Sequence, residues 1–274
     1  MKKEARVLII DRDLYDQSWK ALLLARDWRT RVAGELSSLS EIPAYYQERK
    51  QKRGELPNII LLNDDLLVPG EAQSLKIEAI RWQLEQIYRL PGSPAVLIIG
   101  ETPNAFLMRA LPFPGFCGYL LKPEIGHSLG WAVALADPSR WVITPGVEAF
   151  FHHKSENNRI TILTPPKNKY QFTDYEALVA RMSVIFSMER GDMSDEIKIT
   201  TPWVYGLISV IYRKIGLDEI FSGEADISEY LDSHFMHIPR FQKILQRIGK
   251  AKKRADQETL AFHILTKPDT EDWR

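Results

Sequence analysis

The sequence predicts an α/β protein in two parts: a doubly wound, parallel, five-stranded domain, then an all-α domain with a helical C-terminal extension. Three observations predict it. Through the first half, short apolar runs alternate with longer segments of helical periodicity, the pattern of a parallel sheet covered by helices. After Thr173 the alternation stops and helical spacing takes over. Between them, Asp137 to Phe172 holds several prolines, the polar run Lys154 to Arg159 and only one brief strand-like stretch, Ile160 to Leu163. That segment reads as a linker with a hairpin of its own as an option. The expected boundaries are therefore a first domain at 1–136, a linker at 137–172 and a second domain at 173–274.

Taken in order, Val7 to Ile10 is a buried strand and Leu14 to Ala25 a helix. Thr30 to Ala33 is a weaker strand, followed by a charged helical stretch from Leu39 to Lys52. Pro57 to Leu62 is the clearest strand and Glu71 to Tyr88 a long amphipathic helix. Ala95 to Ile99 and Gly118 to Leu121 supply two further strands, separated by a helix near Phe106 to Leu111, and Ile125 to Leu135 reads as a fifth helix.

The chain has 274 residues, enough for two ordinary domains, each with its own core. Formal net charge is zero, which excludes a molecule that holds nucleic acid by overall basicity; any such surface has to be local. The lone Cys117 cannot form an internal disulfide, and the first residues lack a charged and then apolar leader pattern. No apolar run approaches the ~20 residues that span a bilayer. A cytoplasmic protein with no membrane partner is expected.

In doubly wound sheets functional groups gather at the carboxyl ends of strands. Those ends carry Asp11-Arg12-Asp13, Asn63-Asp64-Asp65, Gly100-Glu101-Thr102 and Lys122-Pro123. Together with Gly118-Tyr119-Leu120-Leu121-Lys122-Pro123 and the loop Asp65-Leu66-Leu67-Val68-Pro69-Gly70, they resemble the receiver domain of bacterial response regulators over residues 5 to 136. The resemblance implies a phosphorylation pocket made of Asp11, Asp65 and Lys122, in which paired acids would hold magnesium and the lysine would meet the acyl phosphate. The pattern is incomplete. Arg12 stands at the second acid, and Gly100 stands where a hydroxyl belongs, with Thr102 two residues on. The nucleophile falls on Asn63 counting from Pro57, or on Asp65 counting back from Pro69-Gly70. A pseudo-receiver without aspartyl phosphate is expected, with a working site at Asp65 as the alternative. No cofactor is expected, magnesium entering only if that pocket functions.

From Asp192 through Met193-Ser194-Asp195-Glu196-Ile197-Lys198-Ile199-Thr200-Thr201-Pro202-Trp203-Val204 to Ile211-Tyr212-Arg213-Lys214-Ile215-Gly216-Leu217, the chain resembles the helix-turn-helix of NarL/LuxR (FixJ) output domains. Thr201-Pro202 reads as a helix start, a hydroxyl cap followed by proline at the first position. Val204, Ile208, Ile211 and Ile215 form a core stripe at helical spacing. The opposite face offers Thr201, Pro202, Tyr205, Gly206, Ser209, Arg213 and Lys214 to DNA, with Tyr205 and Ser209 toward base edges and Arg213 and Lys214 toward phosphates. Lys198 stands where the turn often has glycine, Trp203 reads as a core or interface residue, and Leu207 replaces a common polar reader.

Past this motif, Phe241, Ile244, Leu245 and Ile248 make an apolar stripe amid the basic run Arg240, Lys243, Arg247, Lys250, Lys252, Lys253 and Arg254, a local phosphate-binding cluster. Asp269, Glu271 and Asp272 read as disordered surface acids. His152-His153 lacks partners at metal-ligand spacing. No catalytic constellation is visible, so an enzyme is not expected. The resemblance implies an atypical response regulator: a transcription factor with double-stranded DNA as partner, a homodimer, and another regulator or RNA polymerase as further candidates. The competing expectation is an interaction adaptor in which both modules have lost their original tasks.

Overall fold

The computed structural model describes residues 4–67, 73–151, 159–166, 170–222, 224, 246 and 254–273. Contacts divide the chain into a sheet unit, Glu4–Ala25, Thr30–Pro165 and Pro268–Arg274, and a helical unit that takes Arg26–Arg29 and Pro166–Lys267.

The first strands are near-continuous apolar runs, as strands buried on both faces must be. They are β1 (Ala5–Ile10), β3 (Ile59–Asn63), β4 (Ala95–Gly100) and β5 (Phe116–Leu121), and every residue of β3, β4 and β5 is buried. The edge strand β2 (Thr30–Leu36) is more exposed. Between them run α1 (Leu14–Arg26), α2 (Ile42–Gln51), α3 (Gln73–Tyr88) and α4 (Ala105–Ala110), with the short α5 (Lys122–Ile125) and α6 (Leu129–Leu135) after β5. Strand order reverses direction at β1, which with right-handed crossovers places α1 and α2 on opposite faces and opens a crevice at the carboxyl ends of β1 and β3.

The sheet has eight strands rather than five, in the order β2-β1-β3-β4-β5-β6-β7-β8. Two of the additions, β6 (Arg140–Ile143) and β7 (Arg159–Thr164), lie in the expected linker. They pair parallel to β5 and to each other, so they do not form a hairpin. Their aromatic and β-branched residues Trp141, Val142, Ile143, Ile160 and Ile162 are buried in the sheet domain. The third, β8 (Asp269–Trp273), pairs antiparallel to β7, so the tail expected to be disordered is a strand. Asp272 fixes it there, accepting from Thr161 Oγ1 at 2.6 Å and pairing with Arg140 and Arg159. Burial opposes ionisation of Asp272, but these partners outweigh it and hold the carboxyl below its usual range.

The helical unit contains α7 (Asp174–Ala180), which runs on into a π turn at Arg181–Ile185, then α8 (Arg190–Ile197), α9 (Thr201–Lys214), α10 (Leu217–Ser222) and α11 (Arg254–Leu265). A reciprocal capping box starts α7: the Glu176 amide donates to Thr173 Oγ1, and the Thr173 amide donates to Glu176. Val179, Met182, Met193, Val204, Ile208 and Ile211 share one core. A second buried cluster holds Asp27, Arg29 and His263, with the Arg29 guanidinium on the Asp27 carboxylate and the His263 ring 4.9 Å from the Trp28 ring. The basic run from Arg240 to Lys253 lies outside the described residues, as do His152 and His153.

Candidate functional site

At the crevice of the sheet, Asp11 follows β1 and is fully buried. One carboxylate oxygen accepts from Lys20 Nζ and from Asn63 Nδ2 at 2.9 Å; the other accepts from the Asp13 amide at 2.9 Å. Burial disfavours the charge on Asp11, but the Lys20 ammonium and the two amides overcome it and keep the pKa below that of an ordinary carboxylate. Lys20 is itself fully buried. It occupies the Gln17–Lys20–Leu24 stripe along the inner side of α1, where Gln17 Nε2 also ties Asp11 O to Leu36 O.

This cluster decides the ambiguity at the end of β3. Asn63 is the last residue of the strand and faces Asp11, whereas Asp65 lies beyond it on a 3-10 turn and is exposed. Asp64 turns inward, accepting the Tyr119 hydroxyl at 2.5 Å, and Tyr119 also meets Thr102 O and the Asn104 amide. Burial raises the Asp64 pKa, with Asp65 and Glu101 adding to it against the Tyr119 bond and Lys122. A methyl group on Gly100 would collide with the Asp64 carboxyl, so the place expected for a hydroxyl residue is filled by an acid from the turn after β3. Lys122 lines the same pocket as Asn63, Asp64 and Asp65 but spends its ammonium on Asp16 and, at 3.0 Å, on Glu101. Burial works against the charged form of Lys122, yet these two acids raise its pKa.

Asp11, Asp65 and Lys122 are therefore not brought together as one pocket; Asp65 and Lys122 share a rim, and Asp11 is sealed behind Asn63 and Lys20. Magnesium does not fit: its hard-oxygen ligand is already neutralised by a lysine, and the strand-end residue is an amide. Among the described residues no group of three or more acid, His or Cys side chains could hold a metal.

In the helical unit, α9 carries the expected face. Val204, Ile208, Ile211 and Ile215 are buried, while Pro202, Tyr205, Gly206, Ser209 and Arg213 are exposed. The helix begins one residue earlier than expected: Thr200 is the cap residue, with no side-chain capping bond, and Thr201 is the first helical residue, putting Pro202 second. Proline is tolerated there because the first amides have no partner in the helix. Lys198 closes α8 in the left-handed conformation at φ 56°, so a lysine stands where glycine is the natural choice.

Gly206 has no packing reason: a Cβ placed on it meets nothing within 4 Å. Ser209 donates to the Tyr205 carbonyl, and Arg213 reaches only an exposed Asp218 at 3.9 Å. Lys214 departs from the expected phosphate role. Its ammonium bonds Glu176 at 2.7 Å and the Gln171 carbonyl at 3.1 Å, locking the end of α9 to the cap of α7. Trp203 is not a core residue; it is 66% exposed and lines an apolar groove with Tyr175, Ile199 and Leu207. Arg190, which the sequence pattern did not single out, lies with its guanidinium over the Tyr205 ring.

No known family profile matches the chain, and no curated protein sequence does. Solved structures similar to it include the RcsB response regulator of Salmonella typhimurium, at 16% identity over 78% of this chain and 93% of that one, with a TM-score of 0.41. A complex of RcsB with DNA aligns at 14% identity over 78% and 93%, with a TM-score of 0.42. A LuxR-family two-component response regulator from Aurantimonas aligns at 24% identity over 44% and 76%, with a TM-score of 0.32. These neighbours are described as response regulators.

Proposed function

We propose that this chain is a DNA-binding transcriptional regulator, related in plan to a two-component response regulator, whose sheet domain works without aspartyl phosphorylation. The observation that carries the DNA role is the exposed face of α9. There a mid-helix glycine with open space around it costs about 1 kcal/mol of helix stability relative to alanine and gains no internal contact. A glycine kept on an exposed helix beside Tyr205, Ser209 and Arg213 is accounted for by close approach of a duplex to the backbone. Genomic SELEX with a salt titration tests this: enrichment of a defined site, with affinity falling as salt rises, is expected. Absent enrichment and absent binding at low salt would remove the reading.

Independence from phosphate is supported by three features of the sheet crevice: Asn63 at the strand end, Lys20 on Asp11, and Asp64 filling the space beside Gly100. Exposure to acetyl phosphate and magnesium should leave the intact mass unchanged. A phosphoryl adduct lost in Asp65→Asn would overturn this half. The homodimer on a two-fold site, and contact with another regulator or RNA polymerase, belong to the same proposal.

A second reading, an interaction adaptor, draws on the apolar groove of Tyr175, Ile199, Trp203 and Leu207. The two separate on Trp203→Ala, which should spare duplex affinity in a DNA reader whose contacts run along Gly206, Ser209 and Arg213. No helix among the described residues is long and apolar enough to cross a membrane.

A further inference from the structure

α8 begins on a cation. Arg190 is its first residue, beside the free amides of the helix start, where the helix dipole disfavours positive charge. The ion pairs of the helical unit among the described residues engage Arg29, Arg213 and Lys214 and leave Arg190 without a carboxylate. Its Nε is buried with no hydrogen-bond partner. What holds it is Tyr205, whose ring centre lies 4.1 Å from the guanidinium carbon. A guanidinium over an aromatic ring can still present N–H groups at its edge, the edge that meets two oxygens of a phosphate. Tyr205 is 48% exposed and stands on the α9 face that also carries Gly206 and Ser209.

We propose that Arg190 binds a backbone phosphate of duplex DNA, and that Tyr205 is a positioning residue that holds it there instead of reading a base edge. This rests on the DNA-binding reading given above. It explains an uncompensated cation at the positive end of a helix, and it supplies fixed positive charge to a face whose lysine, Lys214, is consumed by Glu176.

The test uses the full chain and a mixed-sequence duplex of about 30 base pairs, followed by fluorescence anisotropy over a range of potassium chloride. Each phosphate contact contributes about −0.9 to the slope of log affinity against log salt. Arg190→Gln should weaken binding and flatten that slope by about one. Arg190→Lys should keep most of the slope at reduced affinity. Tyr205→Phe, which retains the ring, should match the parent. Tyr205→Leu should fall toward Arg190→Gln, and combining the two should cost little more. Thermal melts identify any variant that fails to fold; if Arg190→Gln does, the Arg190→Lys and Tyr205 pair carries the same test. A parent that binds with a salt-dependent slope that Arg190→Gln leaves unchanged overturns the proposal and spares the DNA reading. A parent that binds no duplex even at the lowest salt overturns both.

Discussion

Replacing Gly206 by alanine separates folding from function on α9. The new methyl group enters space with no heavy atom within 4 Å, so it neither clashes nor buries surface in the free protein. The whole folding effect is then the difference in helix propensity, about 1 kcal/mol in favour of alanine. Urea unfolding should show a later midpoint with an unchanged slope. Against DNA the sign reverses, because a methyl group at the point of closest backbone approach is overpacked. Overpacking costs roughly 1–3 kcal/mol, which corresponds to a loss of about 5- to 160-fold in affinity. Anisotropy with the site enriched by SELEX reads that loss. A more stable Gly206→Ala protein with undiminished affinity would refute the argument, since the glycine would then serve neither packing nor approach.

Lys198→Gly should stabilise the helical unit by about 1 kcal/mol, because the αL conformation at φ 56° strains a lysine and not a glycine; an unchanged urea midpoint would count against it. Lys20→Met should destabilise the sheet unit by about 3–5 kcal/mol by leaving Asp11 buried and unpaired, and Lys20→Met with Asp11→Asn should recover most of that loss in the same unfolding assay. Burial pushes the His263 pKa down to about 4 from 6.5, with Arg29 and Arg26 assisting against Asp27. The unfolded chain therefore binds the extra proton between those values, so stability is fully present above pH 6.5 and is lost as pH falls toward 4. About 3 kcal/mol is involved, and His263→Gln should flatten that limb of the pH profile.

Of the first five strands, β1, β3, β4 and β5 were legible because each is an apolar run closed by polar residues at a strand end, the signature of a strand buried on both faces. β6 and β7 were hidden by their surroundings: Arg140–Ile143 is short, and Arg159–Thr164 follows a polar run. β8 could not be read from Asp269–Trp273 at all, since a strand this acidic gains its place from β7 and from Arg140, Arg159 and Thr161 on elements remote in sequence. At the sheet crevice, the departures from the receiver pattern were visible in Arg12 and Gly100, but the internal cation was not. Its one local signal is a lysine on an otherwise core-facing stripe of α1, at Gln17–Lys20–Leu24. On α9, spacing alone defined the buried stripe and the exposed face, because 3.6-residue periodicity is a backbone property. The partners of Lys214 and Tyr205 come from α7 and α8, and no spacing rule within α9 reports them.

β7 and β8 are sheet neighbours, yet residues 166–267 intervene between them in the chain. Most of the helical unit, residues 166–267, is thus an insertion in the sequence of the sheet domain. A gene cut after Pro165 does not yield a clean sheet domain: it strips β8 and leaves Arg159–Thr164, rich in β-branched residues, as a bare edge ready to pair with another copy. Joining Pro165 to Pro268 through a short turn would preserve the closing strand, and would leave Arg26–Arg29, which belong to the helical unit, with the sheet half.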